Sequence, residues 1–388
     1  MPLASPALPA GAAGPDWEGM LAAACRGEGV ASVYQPIVDT ARGIVVGYEA
    51  LARFPGFPEP NPERWFAAAR AAGRAAELES VVLRTALAAR STLPANCFLT
   101  LNVSPDLLPT DEIRAVWRDA GALGGLVVEL TEQAPIESYV ALEPDLAQLR
   151  GAGALIAVDD AGAGYAGLRH LLALRPSMIK IDRALVRDVD HDEAKRALIE
   201  MLGTFASRVD AWLLAEGVER VEELDTLAAL GVPLVQGYCL ARPAPPWAGI
   251  DPDVAARLLS RRVPDRHRTV RDVLEIVATA GSVSAAAEAF REDPSLRCVV
   301  LLGEHHRPLA ALGAGASRLG VVEPGLRANL STPLAEALAR SMTRDAPSRF
   351  EPLLVTDNAG RFVGIARLER MIHALAADAG AADAGGRR

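Results

Sequence analysis

The chain has 388 residues, 50% hydrophobic content and a formal net charge of −9, which is enough material for two globular domains. The acidic balance argues against a protein that binds nucleic-acid polymers or an anionic membrane surface, and no uncharged apolar run reaches the length of a membrane span. The four cysteines are scattered without a CxxC pair, which predicts a reduced, cytoplasmic protein without a cysteine-based zinc site.

The predicted elements begin after a short leader. Residues 1–16 are small and rich in proline and glycine, and we expect them to be disordered. From residue 33 onward, short apolar runs alternate with stretches of helical spacing. Eight strands alternating with helices are typical of an α/β fold of the (β/α)8 TIM barrel type, which we place over residues 17–248. The predicted strands are 33–38, 44–51, 98–103, 126–131, 154–160, 177–182, 211–216 and 233–238.

The first two predicted strands break this alternation. Only residues 39–43 separate them, whereas a parallel crossover needs about a dozen residues or more. We therefore predict an antiparallel hairpin of strands 1 and 2, and an irregular barrel. In this arrangement Gln35, early in the first strand, lies at the same end of the barrel as Glu49, late in the second.

The composition changes after Trp247. Residues 249–268 are rich in proline, aspartate and arginine and predict a linker with a short helix. Residues 269–378 contain two loosely similar α+β halves with the predicted order helix–strand–turn–strand, a weak internal repeat of about 50 residues. The first half is predicted to begin with one long helix over 273–293. Residues 379–388 are expected to form a disordered tail.

A polar residue stands near the end of every predicted barrel strand. Any single one is most often an ordinary hydrogen-bonded group at a strand–loop boundary, but eight of eight is hard to assign to chance. Catalytic groups of these barrels project from the carboxyl ends of the strands. The candidates are Gln35, Glu49, Asn102, Glu129 with Glu132, Asp159 with Asp160, Lys180 with Asp182, Glu216 with Glu219, and Gln236.

The carboxylates among these candidates predict a metal site. At about 4 Å, each like-charged pair costs on the order of 4 kcal/mol at an effective dielectric near 20, so either several are protonated or cations lie among them. The donors are oxygen atoms, with no histidine or cysteine, which favours Mg²⁺ or Mn²⁺ over zinc. Adjacent aspartates could bridge two ions, an arrangement used on phosphate esters. The converging carboxylates are Glu49, Glu129, Asp159, Asp160 and Glu216.

Two basic residues, Lys180 and Arg53, complete this candidate site. Lys180 and Lys195 are the only lysines among 40 basic residues, so a lysine at a strand end indicates a need for a compact point charge. Lys180 could hold the attacking water or contact a phosphate. Arg53 could clamp a phosphate through its planar guanidinium.

The segment GAGYAG, residues 162–167, offers a different function. It is a GxGxxG motif between a strand and a helix, and Asp182 follows about 20 residues later, as in dinucleotide-binding oxidoreductases. Against this, Asp159 and Asp160 would repel a pyrophosphate in the absence of a metal. The motif also follows the fifth strand instead of opening a domain. We favour a tight loop beside the metal site.

Eight segments resemble, in order, the motifs of EAL domains, a family of cyclic di-GMP phosphodiesterases. The likeness covers roughly residues 31–244, and the family fold is a barrel with an antiparallel hairpin of strands 1 and 2. The resemblance implies hydrolysis of one phosphodiester of cyclic di-GMP to linear pGpG. The segments are YQPIV, GYEALAR, LNVSP, VVELTE, AVDDAGAGYAGL, IKIDRALV, AEGVE and VQGYCLARP.

The resemblance also implies a role for each candidate residue. Glu49, Asn102, Glu129 and Asp159 would hold one Mg²⁺ or Mn²⁺, and Asp159, Asp160 and Glu216 the second. Lys180 and Glu216 would act on the attacking water, with Glu216 as general base and Glu49 essential for turnover. The residues expected to contact the dinucleotide are Gln35, Arg53, Asp182 and Gln236.

Two departures from the family pattern bear on activity. Ala161 and Ala163 replace the usual phenylalanine and threonine in a loop that the family uses in dimer contacts and metal-site order, although Glu132, which steadies that loop, is present. Arg70 stands where the family usually has a glutamate. A homodimer and an active enzyme are expected. A silent EAL domain that only binds cyclic di-GMP is the alternative.

The C-terminal region resembles a pair of CBS modules, a family whose members often bind adenine nucleotides and regulate an attached domain. The segments that carry this likeness are VVLLGEHHRPLAALGAGASRL and PLLVTDNAGRFVGIARLERMIHAL. A possible adenine nucleotide ligand follows from the resemblance. The alternative is a purely structural or dimerising module.

Overall fold

The structure is a computed structural model of the chain. It describes residues 16–131, 138–159, 171–209, 211–260, 268–303, 306–315, 325–330, 332–342, 344, 348–357 and 360–385. Nearly all of the predicted leader, the GAGYAG segment and the candidate residues Glu132 and Asp160 lie outside the described residues.

Eight strands form a closed barrel, as the sequence predicts. Each strand pairs with the next in chain order, and β8 closes onto β1. The strands are β1 (Ala31–Asp39), β2 (Ile44–Arg53), β3 (Phe98–Val103), β4 (Leu126–Leu130), β5 (Leu155–Val158), β6 (Met178–Ile181), β7 (Trp212–Ala215) and β8 (Leu234–Val235).

The predicted irregularity of the barrel is confirmed. β1 runs antiparallel to both of its neighbours, β2 and β8, whereas the pairs from β2 to β8 are parallel. The tight turn between β1 and β2 leaves no length for a crossover, so the chain reverses. Gln35 pairs with Glu49 across this hairpin, which brings both residues to one end of the barrel.

One apolar side chain from each strand fills the barrel interior. Side chains alternate between the two faces of a strand. In each parallel strand, the residue two positions after a layer residue therefore also faces the barrel interior, closer to the carboxyl end of that strand. Gly47 makes room for this layer, since a Cβ atom there would lie 2.4 Å from the ring of Phe98. The layer consists of Ile37, Val46, Phe98, Val127, Ala157, Met178, Leu214 and Leu234.

Helices surround the barrel and bury their apolar faces against its outer side. A short 3₁₀ helix, Pro105–Leu107, follows β3 directly, with Ser104 at its N-cap. The helices are α1 (Trp17–Cys25), α2 (Pro62–Ala71), α3 (Ala75–Leu87), α4 (Asp111–Ala120), α5 (Tyr139–Gly151), α6 (Arg183–Val186), α7 (Glu193–Arg208), α8 (Val221–Ala229) and α9 (Pro252–Ser260). The last of these is the short helix expected within residues 249–268.

The C-terminal region contains two three-stranded sheets of the same topology. In each sheet the first strand is parallel to the central strand and the third is antiparallel to it. The second half repeats the first after about 50 residues. The elements are β9 (Ala278–Ala280), α10 (Val283–Glu292), β10 (Val299–Leu302), β11 (Pro308–Leu312), β12 (Arg327–Asn329), α11 (Leu334–Met342), β13 (Leu353–Thr356), β14 (Phe362–Ala366) and α12 (Leu368–Gly385).

Two sequence predictions for this region differ from the structure. The long helix predicted over 273–293 is wrong, because β9 occupies its middle and the helix begins only at Val283, after a serine N-cap. β9 pairs with β10, and this non-local pairing overrides the alanine-rich helical pattern. The helix α12 extends to Gly385, into the range predicted as a disordered tail.

The C-terminal region contacts the barrel next to β5. The guanidinium of Arg307 donates a hydrogen bond to the carbonyl oxygen of Gly153, two residues before β5 begins. Burial lowers the pKa of Arg307. No helix among the described residues combines the length and apolar character that a membrane span requires.

Candidate active site

The candidate residues meet inside the barrel mouth because of strand periodicity. Glu129, Lys180 and Glu216 each lie two positions after a residue of the interior layer, so they face inward one layer nearer the carboxyl ends. Asp159 and Gln236 follow the same rule, just beyond β5 and β8. Residues that lie far apart in the sequence thereby meet at one end of the barrel.

Lys180 is the centre of this cluster. Its side chain is 1% exposed, and its ammonium nitrogen Nζ lies 2.6 Å from Glu216 Oε1 and 2.7 Å from Glu129 Oε2. Asp159 Oδ1 and Glu49 Oε1 lie further away, at 3.5 and 3.6 Å. A lysine ammonium is a compact charge with three donors, so it can serve several carboxylates at once.

Glu49 is held by two neutral amides as well as by the lysine. Asn102 Nδ2 donates to Glu49 Oε1 at 2.9 Å, and Gln236 Nε2 donates to Glu49 Oε2 at 2.6 Å. Gln236 Nε2 also lies 3.0 Å from Gln35 Oε1, while Gln35 Nε2 donates to the carbonyl oxygen of Ala241 at 3.0 Å. Side chains from β1, β2, β3 and the end of β8 are therefore joined in one hydrogen-bonded network.

The electrostatics of the cluster are dominated by burial. Burial raises the pKa of Glu129 to about 8, although Lys180 opposes the shift. Burial likewise raises the pKa of Glu216 well above its ordinary value, with Glu49 and Asp159 adding to the shift. Burial alone would lower the pKa of Lys180, but the surrounding carboxylates raise it well above its usual range. The raised pKa keeps the lysine charged, whereas Glu129 and Glu216 hold their protons to a higher pH than ordinary carboxyl groups do.

The donor set fits divalent cations. Four carboxylates face a single ammonium group, so carboxylates outnumber the cation at this largely buried barrel mouth. Glu129 Oε1 is buried and makes no hydrogen bond to any described residue, so it is available as a ligand. No three acidic, histidine or cysteine side chains among the described residues are grouped closely enough to hold an ion, and the four carboxylates of the cluster contact Lys180. Oxygen donors of this kind favour Mg²⁺ or Mn²⁺.

Two further predicted residues, Arg53 and Asp182, make hydrogen bonds to nearby backbone groups. Arg53 is the last residue of β2, and its guanidinium donates a hydrogen bond to the carbonyl oxygen of Ala52 at 2.8 Å. The next residue, Phe54, stacks its ring on Trp65 with the ring centroids 4.3 Å apart, which fixes the chain there. Asp182 Oδ1 accepts a hydrogen bond at 2.7 Å from the backbone N–H of Ala184, at the start of α6. The structure therefore gives Asp182 a helix-capping contact.

Sequence reasoning missed two residues near the site. Tyr238 is 51% exposed just after Gln236, and the guanidinium of Arg242 lies 4.3 Å from its ring centroid. Glu79 is a buried carboxylate of α3 that contacts the chain after β3. The sequence does contain a sign of this buried carboxylate, because Glu79 falls on the same apolar helix face as Leu83 and Ala86.

The raised pKa of Glu129 predicts that stability depends on pH. Because the pKa of Glu129 rises from 4.5 to about 8, its contribution to stability is complete below about pH 4.5 and is lost as the pH rises through about 8. We expect the free energy of unfolding in EDTA to fall between about pH 5 and 8 in urea titrations. Glu129→Gln should reduce this slope. An equal slope in both proteins would contradict the assignment.

The fold and the site define a class of irregular (β/α)8 barrels with one antiparallel strand pair and an acidic mouth around a buried lysine. Residues 18–243, more than half of the chain, match the family model of the EAL domain. The chain belongs to this family.

Relatives and solved structures support this assignment. NbdA of Pseudomonas aeruginosa, named a cyclic di-GMP phosphodiesterase, is 32% identical over 225 residues, which are 55% of this chain and 28% of NbdA. PdeN of Escherichia coli, named a probable cyclic di-GMP phosphodiesterase, is 29% identical over 223 residues, 55% of this chain and 43% of PdeN. The chain therefore spans less than half the length of these curated relatives.

Two solved structures share the barrel. The PaMucR phosphodiesterase in complex with c-di-GMP aligns with a TM-score of 0.54 and 26% identity, covering 59% of this chain and 98% of that chain. BlrP1 of Klebsiella pneumoniae in a manganese/cyclic di-GMP complex aligns with a TM-score of 0.51 and 31% identity, covering 56% of this chain and 57% of that chain.

Proposed function

We propose that the protein is a metal-dependent phosphodiesterase that hydrolyses cyclic di-GMP to linear pGpG. The observation that carries this proposal is the cluster of four carboxylates around Lys180 inside the barrel mouth, whose excess negative charge suits divalent cations. Membership of the EAL family, with relatives named cyclic di-GMP phosphodiesterases, supports the choice of substrate.

The ligands are assigned by analogy with the family, and those among the described residues also by their place at the barrel mouth. Glu49, Asn102, Glu129 and Asp159 would hold one Mg²⁺ or Mn²⁺, and Asp160 and Glu216, with Asp159 shared, the second. Two such ions would polarise the phosphate and make water more acidic.

The chain's own residues would carry the proton transfer and the positioning. Glu216 accepts the proton of the attacking water, whose oxygen forms the new bond to phosphorus while the P–O3′ bond breaks. The leaving 3′ oxygen takes a proton from solvent, and Glu216 returns its own proton to solvent. Lys180, 2.6 Å from Glu216, orients that carboxylate and the water. The residues proposed to contact the dinucleotide are Gln35, Arg53, Asp182 and Gln236.

A second candidate function is a cyclic di-GMP-binding module without turnover. It is favoured by Ala161 and Ala163, which replace the family's usual phenylalanine and threonine in the loop after the paired aspartates. This candidate needs the same substrate contacts but no hydrolysis.

For the C-terminal region we propose a regulatory role, with an adenine nucleotide as its ligand. The two similar sheets support a paired module, and the Arg307 contact to Gly153 supplies a physical link, since β5 begins beside Gly153 and leads to Asp159. A homodimer is also proposed from the family resemblance.

The experiment is a turnover assay on the full chain with cyclic di-GMP and Mn²⁺ or Mg²⁺, followed by chromatography. We expect pGpG in the presence of either ion and none in EDTA, because the ligand set is oxygen-only. Repeating the assay with AMP and ATP tests regulation. Tight cyclic di-GMP binding in calorimetry, without pGpG at any metal concentration in a folded sample, would replace the enzyme with the binding module.

A further inference from the structure

Glu79 is a buried carboxylate outside the acidic cluster. It lies on α3 with 5% of its surface exposed, and the proposed function assigns it no role. Burying a carboxylate is costly unless hydrogen bonds compensate for the lost water. Glu79 uses both of its oxygens on a single residue: Oε1 accepts from the backbone N–H of Ser104 at 2.7 Å, and Oε2 accepts from its hydroxyl at 2.8 Å.

Ser104 marks the point at which the chain leaves the barrel wall. It stands one residue after the end of β3 and occupies the N-cap position of the 3₁₀ helix Pro105–Leu107. Glu79 therefore ties the end of β3 to α3 through two hydrogen bonds. A second tie lies beside it, because Arg70 of α2 pairs with Asp106 at 2.5 Å.

Asn102 lies two residues before Ser104 and belongs to the cluster. It stands next to Glu129 in the register of β3 and β4, and its amide donates to Glu49 at 2.9 Å. The segment from Asn102 to Ser104 is therefore fixed at two points. Inside the barrel it is held by Glu49, and outside the barrel by Glu79.

The environment of Glu79 differs from that of an ordinary surface carboxylate. Burial raises the pKa of Glu79 to about 7, with Asp106 adding to the shift and the hydrogen bonds from Ser104, together with Arg70, opposing it. A neutral residue of similar shape would avoid this desolvation. The two side-chain oxygens of Glu79 face the adjacent N–H and O–H of Ser104, and a glutamine amide could keep both contacts because a serine hydroxyl can also accept.

We propose that Glu79 is a positioning residue for metal binding, which acts through Ser104 to hold Asn102 at the ligand position beside Glu49. The inference rests on the proposed function, since it takes Asn102 to be a metal ligand. Glu79 touches neither substrate nor ion in this proposal. Residues that orient metal ligands typically change metal affinity by about 10–100-fold when they are removed.

The test is Mn²⁺ binding to the full chain, measured by calorimetry and by electron paramagnetic resonance of free Mn²⁺. We expect Glu79→Ala to weaken Mn²⁺ binding by about 10-fold or more, while the KM for cyclic di-GMP at saturating Mn²⁺ stays within about 2-fold. Glu79→Gln should restore binding, because its amide can accept from the N–H of Ser104 and donate to the hydroxyl. Ser104→Ala, which removes one of the two bonds, should weaken Mn²⁺ binding less.

A double-mutant cycle separates positioning from general loss of stability. In an Asn102→Ala background, Glu79→Ala should weaken Mn²⁺ binding no further. Asp145→Ala is the matched control, because Asp145 is a similarly buried carboxylate that ties α5 to Arg114 of α4; it should lower stability without changing Mn²⁺ affinity. Additive effects of Glu79→Ala and Asn102→Ala, or an equal effect of Asp145→Ala, would overturn the proposal.

The wild-type protein distinguishes this proposal from the proposed function. Absence of Mn²⁺ binding by folded wild-type protein would reject the metal site itself, and the positioning role with it. Normal Mn²⁺ binding by the wild type, Glu79→Ala and Ser104→Ala alike would reject only the role of Glu79. If Glu79→Ala does not fold, the comparison of Glu79→Gln with Ser104→Ala decides.

Discussion

Lys180→Met is expected to lower the free energy of unfolding of the metal-free protein by about 3–5 kcal/mol at pH 8, and to abolish turnover. Removing one partner of a buried ion pair leaves the other charges uncompensated. Among the described residues, Lys180 is the only cation within 4.0 Å of Glu129 and Glu216. Urea unfolding in EDTA measures the loss, and the pGpG assay measures the activity.

The pH dependence identifies the cause of this destabilisation. Lys180 lowers the pKa values of Glu129 and Glu216, so without it both carboxyls hold their protons to higher pH. The loss of stability should therefore be smaller at pH 5 than at pH 8, and Mn²⁺ should restore part of it. Equal losses at both pH values would instead indicate a packing defect.

Lys195→Met is the matched control for the lysine. Lys195 is the only other lysine in the chain, and its Nζ donates to the carbonyl oxygens of Ala184 and Arg187 at 2.7 and 2.6 Å. We expect a change in unfolding free energy of about 1 kcal/mol or less and normal turnover. A loss of activity equal to that of Lys180→Met would contradict a specific role for Lys180.

Glu49→Gln is expected to reduce turnover by about 100-fold or more while the fold stays intact. The substitution keeps the shape of the side chain but removes a charge from the proposed ligand set, and metal sites are sensitive to that loss. The substitution also removes one acceptor. Asn102 and Gln236 each donate a hydrogen bond to one oxygen of Glu49, and the amide nitrogen of a glutamine cannot accept such a bond. The net change in stability should stay near 1 kcal/mol, because the loss of a hydrogen bond is offset by reduced like-charge repulsion.

Asp145→Asn controls for the removal of a buried carboxylate charge, since both oxygens of Asp145 accept hydrogen bonds from Arg114 on the outer helices. Its turnover should match the wild type within about 2-fold. Substrate saturation kinetics at a fixed Mn²⁺ concentration measure both variants. Retained turnover in Glu49→Gln would remove Glu49 from the metal site and leave it a structural group.

The barrel was predictable from the sequence because its signals are local. Strand and helix periodicities, and a connection of only five residues between the first two strands, were enough to predict the closed barrel and its antiparallel hairpin. The C-terminal region was harder to predict. β9 is three residues long and lies within an alanine-rich pattern, and only its pairing with β10, a contact distant in the sequence, makes it a strand.

The sequence by itself determined which residues reach the barrel mouth, because strand ends and side-chain alternation place them there. Only the tertiary structure decided how they pair: Lys180 binds Glu129 and Glu216 at close range, and Glu49 is held by Asn102 and Gln236. The role of Glu79 was also invisible in the sequence, since it depends on a helix packing against the end of β3. The reason is physical, because periodicity fixes the direction of a side chain, whereas hydrogen-bond partners and burial depend on how distant segments pack.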